Sequence, residues 1–325
     1  SRPLRAFRIG ATELRLSWAE RDDNHARSSR MRAMKVFILG AGKVGRALAA
    51  ALKKQGTPVT LRPARKGVPT TRIDATIIVL ALRDRQLGPV AADLATSGVV
   101  PRNAVVVHNA GSLPAEALEP LRGVCAGIAQ MHPMIAFAST SSFPTLTRGH
   151  VHVKGEPVAE KRARVLAKRL GMTPRTFAEL DTVGYHAAAG LVANGAAALA
   201  AIGVELLVVS GVPRAEAPKM LGPLLRSVAE NVEKLGFPDA LTGPVRRGDA
   251  GAIERQLELL RDRLPDALPL FIASGLAQLP IAKRIGDAPK AQLDEVGEVL
   301  QRALRRSARP QAAAGKRAPS RRSRR

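Results

Sequence analysis

A short segment near the amino terminus constrains the fold more than any other feature of the chain. Residues 35–39 read KVFIL, a β-branched and aromatic run typical of a buried strand, and residues 40–45 read GAGKVG. A helical pattern over residues 46–55 follows directly. A strand, a G-x-G-x-x-G turn and a helix in this order predict the first unit of a dinucleotide-binding sheet.

Each glycine of this turn has a separate physical reason. Gly40 lets the chain turn tightly, Gly42 lets the backbone approach a pyrophosphate, and Gly45 lets the helix pack close to the strand. The helix amino terminus then faces the phosphates. We therefore expect the whole turn to hold a dinucleotide, through Gly40, Ala41, Gly42, Lys43, Val44 and Gly45.

The residues after the second predicted strand, 58–61, indicate which dinucleotide is bound. Where an NAD site has an aspartate or glutamate, this chain has Arg62, Arg65 and Lys66. Guanidinium groups form charge-assisted hydrogen bonds to a 2′-phosphate, which a carboxylate would repel. The sequence favours NADP, with Arg62 and Arg65 as contacts; the alternative is a loop of solvated charges.

Further apolar runs follow at residues 75–81, 104–108, 124–131 and 150–153, with a charged helix at 157–170. Runs that are apolar throughout are typical of parallel strands covered on both faces. The pattern therefore predicts an α/β fold with a doubly wound parallel sheet. Ligands of such sheets bind beyond the carboxyl ends of the strands, so Leu82 is also expected to contact the cofactor.

Two polar stretches stand at predicted strand ends. Residues 108–112 read HNAGS and residues 130–134 read QMHPM. Asn109 is expected beside the cofactor and His132 beside the substrate. Both stretches are also ordinary turn chemistry, and that alternative stays open.

Strand patterns end at about residue 180, and the chain is helical from there to Arg306. Breaks are expected at 211–213, 236–238, 241–244 and 265–269, where glycine and proline cluster. The predicted domains are a dinucleotide-binding domain at 34–180 and a helical domain at 181–305. A cleft between two such domains is the usual place for a small substrate.

The first helix of that second half carries three unusual positions on one face. His186, Gly190 and Asn194 are four residues apart, so each step turns by about 40°. A proton donor and an amide would then flank a gap left by glycine. The alternative is close helix packing around an interior polar residue.

The layout resembles the superfamily of β-hydroxyacid and ketopantoate reductases, 6-phosphogluconate dehydrogenase, prephenate dehydrogenase and pyrroline-5-carboxylate reductase. In several of these families a catalytic lysine stands near the start of the first helix of the helical domain, with an asparagine one or two turns later. His186 and Asn194 fall at similar places. The resemblance implies a Rossmann domain followed by a helical domain like the carboxyl-terminal domain of 6-phosphogluconate dehydrogenase.

A narrower resemblance is to the Rossmann-like family called domain of unknown function 2520. It rests on YHAAA at 185–189, PLL at 223–225, Asn231 and ALTGPVRRGD at 240–249, and it covers residues 34–300. Some members resemble an alternative form of ketopantoate reductase. This implies an NADPH-dependent reductase of a small keto acid or related carbonyl, with imine reduction as an open alternative, and a homodimer.

The resemblance also implies roles for residues of the second half. Histidine replaces the family's lysine, and because an imidazole titrates near neutral pH, His186 is expected to be the general acid. Asn194 would orient the substrate, Thr242 would hydrogen-bond it, and Arg247 would bind its carboxylate. A capped turn at Asp249 explains the same segment equally well. A protein that binds NADP as a redox sensor, without turnover, is the rival function.

Composition limits the other functions. Of the formal net charge of +24, residues 302–325 contribute +10 and residues 1–33 contribute +4. The tail, 306–325, has no aromatic or branched apolar residue, so it is expected to be disordered and to contact nucleic acid only non-specifically. Residues 1–33 are interpreted as a disordered or non-native extension.

The single cysteine, Cys125, and the lack of a secretory apolar run indicate a cytoplasmic protein. No metal ligand set is expected. Residues 187–213 approach the length of a membrane span, but Asn194, Glu205 and many small residues favour a buried helix instead.

Overall fold

The computed structural model describes residues 34–307. The expectations for residues 1–33 and for the tail beyond Ser307 lie outside the described residues. The chain divides into two compact units, with the boundary between Ala193 and Asn194. Residues 181–193, which we expected in the helical half, group with the sheet.

The first unit is built on one seven-stranded sheet in the order β2-β1-β3-β4-β5-β6-β7. The strand order places β1 and its glycine turn near one side of the sheet, between β2 and β3. The strands are β1 Val36–Leu39, β2 Val59–Arg62, β3 Ile77–Leu80, β4 Val105–His108, β5 Gly127–Pro133, β6 His150–Gly155 and β7 Thr173–Arg175.

The sheet is mixed rather than wholly parallel. Strands β1 to β5 pair in parallel, as predicted, but β6 runs antiparallel to β5. The short strand β7, which the sequence did not predict, is parallel to β6. Two neighbouring strands can run parallel only if the connection crosses back over the sheet, and this crossover is usually a helix. Residues 134–149, between β5 and β6, contain no helix. The expectation of a parallel sheet is therefore wrong at this edge.

Helices cover both faces of the sheet, which explains why the central strands β1, β3 and β4 are almost wholly apolar. Val36 and Ile38 face one core with helices α1 (Lys43–Lys54) and α3 (Pro157–Arg169). The other face packs on α2 (Asp84–Thr96) and on a 3-10 segment, Ala115–Leu121. The predicted doubly wound architecture is confirmed.

The second unit has its own core, formed by the last three helices. Val245, Ile253, Ile272 and Leu300 are among its buried residues. The breaks at 211–213, 236–244 and 265–269 fall where glycine and proline predicted them, but the break at 286–289 was not predicted. The helices are α4 Thr182–Val209, which crosses the unit boundary, α5 Ala217–Leu235, α6 Ala250–Arg263, α7 Leu268–Ile285 and α8 Lys290–Ser307.

Helix α4 is not buried in this chain, which corrects the expectation for residues 187–213. None of its residues is buried, and Leu191 and Val192 are 77% and 72% exposed. A helix that is apolar on all sides needs cover on all sides, yet α4 contributes to none of the three cores. Within residues 34–307, it is the one helix long and apolar enough to cross a membrane.

Candidate functional site

The glycine turn after β1 has the close contacts that the motif predicts. Gly40 has φ +120°, and a Cβ there would lie 2.2 Å from the carbonyl oxygen of Ala81. A Cβ at Gly45 would lie 1.8 Å from the carbonyl oxygen of Gly40. Both positions therefore exclude any side chain, since real Cβ atoms do not approach other atoms so closely. These two glycines bring β1, β3 and α1 together.

Gly42 differs, because its space is open. A Cβ there would meet no atom within 4 Å. Gly42 is the N-cap of α1, makes no side-chain capping bond, and is followed by a first turn without acidic residues. Arg46 fixes the turn from behind, because its Nε donates to the carbonyl of Ala41 at 2.9 Å. Unpaired backbone N–H groups at a helix start favour an anion such as a pyrophosphate.

The cations after β2 separate into two kinds. Arg62 binds its own loop: Nε donates to the carbonyl of Gly67 at 2.9 Å, and Nη2 donates to the carbonyl of Lys66 at 2.7 Å. Arg65 and Lys66 lie in the 3-10 segment Ala64–Lys66 and are exposed. The sequence predicted the same phosphate-binding role for Arg62 and Arg65. In the structure Arg62 stabilises its own loop, and Arg65 is free to contact a ligand.

The turn after β4 is held by a buried histidine. His108 has no solvent exposure; its Nε2 donates to the carbonyl of Pro114 at 2.9 Å, and its Nδ1 accepts from the amide of Ala110 at 3.2 Å. Burial lowers the pKa of His108 to about 4. This histidine is neutral at pH 7 and structural. Its two hydrogen bonds fix the conformation of the turn that carries Asn109 and Gly111.

Asn109 and His132 are brought together at the ends of β4 and β5. Asn109 Nδ2 donates to the carbonyl of Met131 at 2.6 Å, and its Oδ1 is buried without a partner. His132 Nδ1 lies 2.9 Å from the carbonyl of Asn109. Because a carbonyl only accepts, Nδ1 carries the proton, and Nε2 of the neutral ring is an acceptor. Burial is the largest effect on His132 and lowers its pKa.

His186 meets this pair over a glycine. A Cβ at Gly111 would lie 2.4 Å from His186 Nδ1 and 2.9 Å from His132 Nε2. The two ring centroids are 5.6 Å apart with the planes at 77°. His186 is exposed and its ring is therefore accessible to a ligand. The bare backbone of Gly111 makes room for both imidazoles.

Two aromatic contacts extend the group along β6. Tyr185 packs 5.6 Å from His132 and 5.7 Å from His152, measured between ring centroids. Burial raises the pKa of the Tyr185 hydroxyl, so it is protonated at neutral pH. The first turn of helix α4 thus places Tyr185 against the sheet and His186 toward solvent.

Sequence reasoning placed Gly111 and Gln130 in the two polar stretches without giving either a role, and it missed His152. Gln130 Nε2 donates to the carbonyl of Ala110 at 2.9 Å and supports the turn from the sheet. His152 is 2% exposed. The segment HVHVK at 150–154 alternates polar and apolar residues, and this alternation was the available indication of a polar inner face.

The remaining candidates lie elsewhere. Leu82 is half-buried just after β3 and packs on the core of that face. Asn194 belongs to the second unit and is exposed, as are Thr242 and Arg247. Asp249 Oδ1 accepts from the amide of Ala252 at 2.9 Å, so this carboxylate does cap helix α6.

Metal and thiol chemistry have little support in the described chain. Within residues 34–307, no three His, Cys, Asp or Glu side chains are grouped as a metal site requires. Cys125 is free and half-buried, and burial raises its pKa. A thiol held protonated in this way is a poor nucleophile.

Comparison with known proteins supports the fold. Residues 150–277 match the family model described as Domain of unknown function (DUF2520). The resemblance to this family is confirmed over that range, which includes His186, Asn194, Thr242 and Arg247. No curated protein matches the chain.

Three solved structures illustrate the likeness. A protein from Bacteroides fragilis, provisionally named an NADP oxidoreductase, is 20% identical over 76% of this chain and 98% of its own, with a TM-score of 0.61. A protein from Thermotoga maritima is 19% identical over 77% and 98%, with a TM-score of 0.57. Pyrroline carboxylate reductase from Plasmodium falciparum, solved with NADP bound, is 15% identical over 86% and 100%, with a TM-score of 0.51. At these identities the likeness establishes the fold.

Proposed function

We propose that this chain, which carries a DUF2520 domain, is an NADPH-dependent reductase of small keto acids or related carbonyl compounds. One observation carries the proposal: the open space at Gly42 and the imidazole of His186 both belong to the carboxyl-terminal side of one sheet, where doubly wound folds bind dinucleotides. The names of two structural neighbours, which refer to NADP, support the choice of cofactor.

The residues present fit a phosphorylated dinucleotide. The open Gly42 and the free start of α1 suit the pyrophosphate, with Ala41, Lys43 and Val44 beside it. Arg65 suits the 2′-phosphate, supported by the loop that Arg62 shapes. The orphaned Oδ1 of Asn109 is an acceptor for a carboxamide N–H, and Leu82 would pack against the cofactor. When bound, the nicotinamide supplies a hydride.

The protein must then supply a proton. Hydride addition to a carbonyl carbon places negative charge on its oxygen, and a donor beside that oxygen stabilises the transition state. We assign this role to His186, which is exposed and stands over Gly111. His132, with its proton fixed on Nδ1, would contact the substrate. Asn194 is proposed to orient the substrate.

Two residues of the second unit complete the proposal. Thr242 would donate a hydrogen bond to the substrate, and Arg247 would bind its carboxylate. Both are exposed, and it is the neighbouring Arg246 that bonds the carbonyl of Leu241 and pairs with Asp287. Ketopantoate is the most concrete substrate, and reduction of an imine is the alternative.

Replacement of His186 by alanine tests the proposal directly. General acid catalysis contributes roughly 10²–10⁴-fold to a rate, so we expect turnover to fall by about that factor while the Kd for NADPH stays unchanged. His150→Ala, on an exposed position of β6, is the matched control. Unchanged turnover in the His186 variant would remove it from the mechanism.

The substrate screen separates the reductase from its rival. Thermal shifts with NADPH and NADH identify the cofactor, because stabilisation grows with ligand concentration over Kd. Oxidation of NADPH is then followed with a panel of 2-keto acids, 3-keto acids and cyclic imines. Tight NADPH binding with no turnover across the panel would favour a redox sensor.

We also propose a cytoplasmic homodimer. Helix α5 exposes an apolar row in which Met220, Leu224 and Val228 are 55%, 56% and 48% exposed. Helix α4 is uncovered as well, and exposed apolar surface on two successive helices is typical of a protein–protein interface. A second copy of the chain would cover it, whereas specific nucleic acid binding has no support from aromatic side chains.

Light scattering tests the dimer. Val228→Glu should convert the dimer to a monomer, because a charge in the interface loses its hydration. Val165→Glu on α3 is the control, since Val165 is 46% exposed in the first unit. A wild-type chain that is monomeric at micromolar concentration would refute this part.

A further inference from the structure

A cavity of about 330 Å³ lies in the first unit, on the face of the sheet that the 3-10 segment Ala115–Leu121 covers. Its floor is formed by β5 and β6, where Gln130 pairs with Lys154 and His132 pairs with His152. Directly paired residues project to the same face, so these side chains point to one side of the sheet. Leu180 and Thr182 close the cavity beside the start of helix α4.

The floor of the cavity contains a histidine whose polar atoms are unused. His152 is 2% exposed, and both of its ring nitrogens are buried without a hydrogen-bond partner. Its ring stacks on Phe177 at 6.1 Å and packs against Tyr185 at 5.7 Å. These contacts hold the ring plane but satisfy neither nitrogen. Buried polar atoms are nearly always paired, so an unused pair of them in a cavity wall indicates a missing partner.

The lining of the cavity carries two cations and two carboxylates, and among them Lys154 is the one whose charge acts on His152. The pair formed by Arg122 and Glu156 at 2.9 Å is internally neutralised, and Glu156 also accepts from the amide of Ile128. Lys154 donates to the carbonyl of Ala178 and keeps two further N–H groups. Glu116 is exposed on the wall. The part of the cavity beside β6 therefore presents the ammonium group of Lys154 and the imidazole of His152.

The protonation of His152 depends on what faces it. Burial lowers its pKa, and the charges of His132 on β5 and Lys154 on its own strand lower it further, while Glu160 on α3 raises it. Tyr185 on α4 is the other titratable neighbour. The imidazole is therefore neutral in the empty cavity. An anion between the ring and Lys154 would favour the charged ring and accept its N–H.

We propose that this cavity is a binding site for a small carboxylate, which His152 and Lys154 contact. The site requires neither NADPH nor turnover, and so goes beyond the proposed function. Its walls also support the reaction centre: Gln130 donates to the carbonyls of Ala110 and Gly111, and Thr182 donates to the carbonyl of Ser112. The occupant would contact the side chains that hold the turn beneath His186.

Calorimetry on the full, cofactor-free chain tests the site. Sodium pyruvate is the probe and methyl pyruvate is its uncharged counterpart. We expect saturable binding of pyruvate alone, with proton uptake seen as a heat that differs between two buffers of different ionisation enthalpy at pH 7. His152→Phe, which keeps the stacking, and Lys154→Met should each weaken binding at least tenfold. His150→Phe, on the same strand, should not change it.

The outcomes are distinct from those for the reductase. No saturable binding to the wild-type chain, or unchanged affinity in both variants, would overturn the site, whereas NADPH binding on the same samples reports on the proposed function separately. Because Lys154 is exposed, its variant remains informative if His152→Phe fails to fold. A raised KM in Lys154→Met would identify the occupant as the substrate's own carboxylate; an unchanged KM with weakened pyruvate binding would identify a second molecule.

Discussion

Alanine at position 42 separates the ligand-binding role of the glycine turn from its structural role. Gly42 has φ −78° and ψ −165°, an extended conformation that alanine adopts easily, and a Cβ there meets no atom within 4 Å. Alanine lowers the entropy of the unfolded chain, which favours folding by about 0.4–1 kcal/mol, but it is a poorer N-cap than glycine, which costs a similar amount, so we expect little net change in the free energy of unfolding. The methyl group nevertheless occupies the space in which a pyrophosphate would lie. We expect NADPH affinity to fall at least tenfold, or about 1.4 kcal/mol.

Gly45→Ala is the matched change, and it should lower stability. Its Cβ would lie 1.8 Å from the oxygen and 3.0 Å from the carbon of the Gly40 carbonyl. Both atoms are backbone, so the helix or the turn has to move. Overpacking of this kind costs about 1–3 kcal/mol. We expect Gly45→Ala to lower Tm and to bind NADPH poorly because the turn itself is distorted.

Scanning fluorimetry with and without NADPH distinguishes the two variants. At a concentration one hundred times Kd, NADPH should stabilise the wild-type chain by about 2.7 kcal/mol. Gly42→Ala should begin at a Tm close to that of the wild-type chain and lose most of this gain. If it is folded and binds NADPH with wild-type affinity, the pyrophosphate does not lie at Gly42, and the assignment of the turn as the cofactor site is refuted.

Three further predictions concern charge, pH and capping. Arg65→Glu should weaken NADPH binding at least tenfold and leave NADH binding nearly unchanged, measured by calorimetry; Arg72→Glu makes the same charge change outside the proposed site and should have no effect. His108 titrates in the unfolded chain near its ordinary value of 6.5 but near 4 when folded. The unfolded state therefore binds more protons between these values, and stability should fall by about 2 kcal/mol from pH 7 to pH 5 in urea unfolding; a flat profile would contradict the buried neutral imidazole. Asp249→Ala should cost about 1 kcal/mol by removing the cap on Ala252, seen as a lower Tm with unchanged NADPH affinity.

Local chemistry explains what the sequence predicted correctly. The glycines at 40 and 45 are required by contacts within one turn, and they were identified from their spacing alone. The central strands were identified because both faces of the sheet are covered there, which makes most of their residues apolar. The helix breaks followed from glycine and proline. Each of these features depends on neighbours a few residues away.

The fold of individual loops and the contacts between distant segments decided the rest. Arg62 was predicted to bind the cofactor, but its Nε donates to a carbonyl of its own loop. The direction of β6 depended on a connection without a helix, which no periodicity predicts.

The sequence by itself therefore determined a dinucleotide-binding sheet, its glycine turn and a helical second half, because short-range backbone geometry and apolar periodicity are written in consecutive residues. Only the tertiary structure brought His132 and His186 together over Gly111, and left His152 without partners in a cavity wall. These contacts join residues that are tens of positions apart in the chain. The identity of a side chain does not show which distant side chain it will contact. That choice is made by the packing of the sheet against its helices.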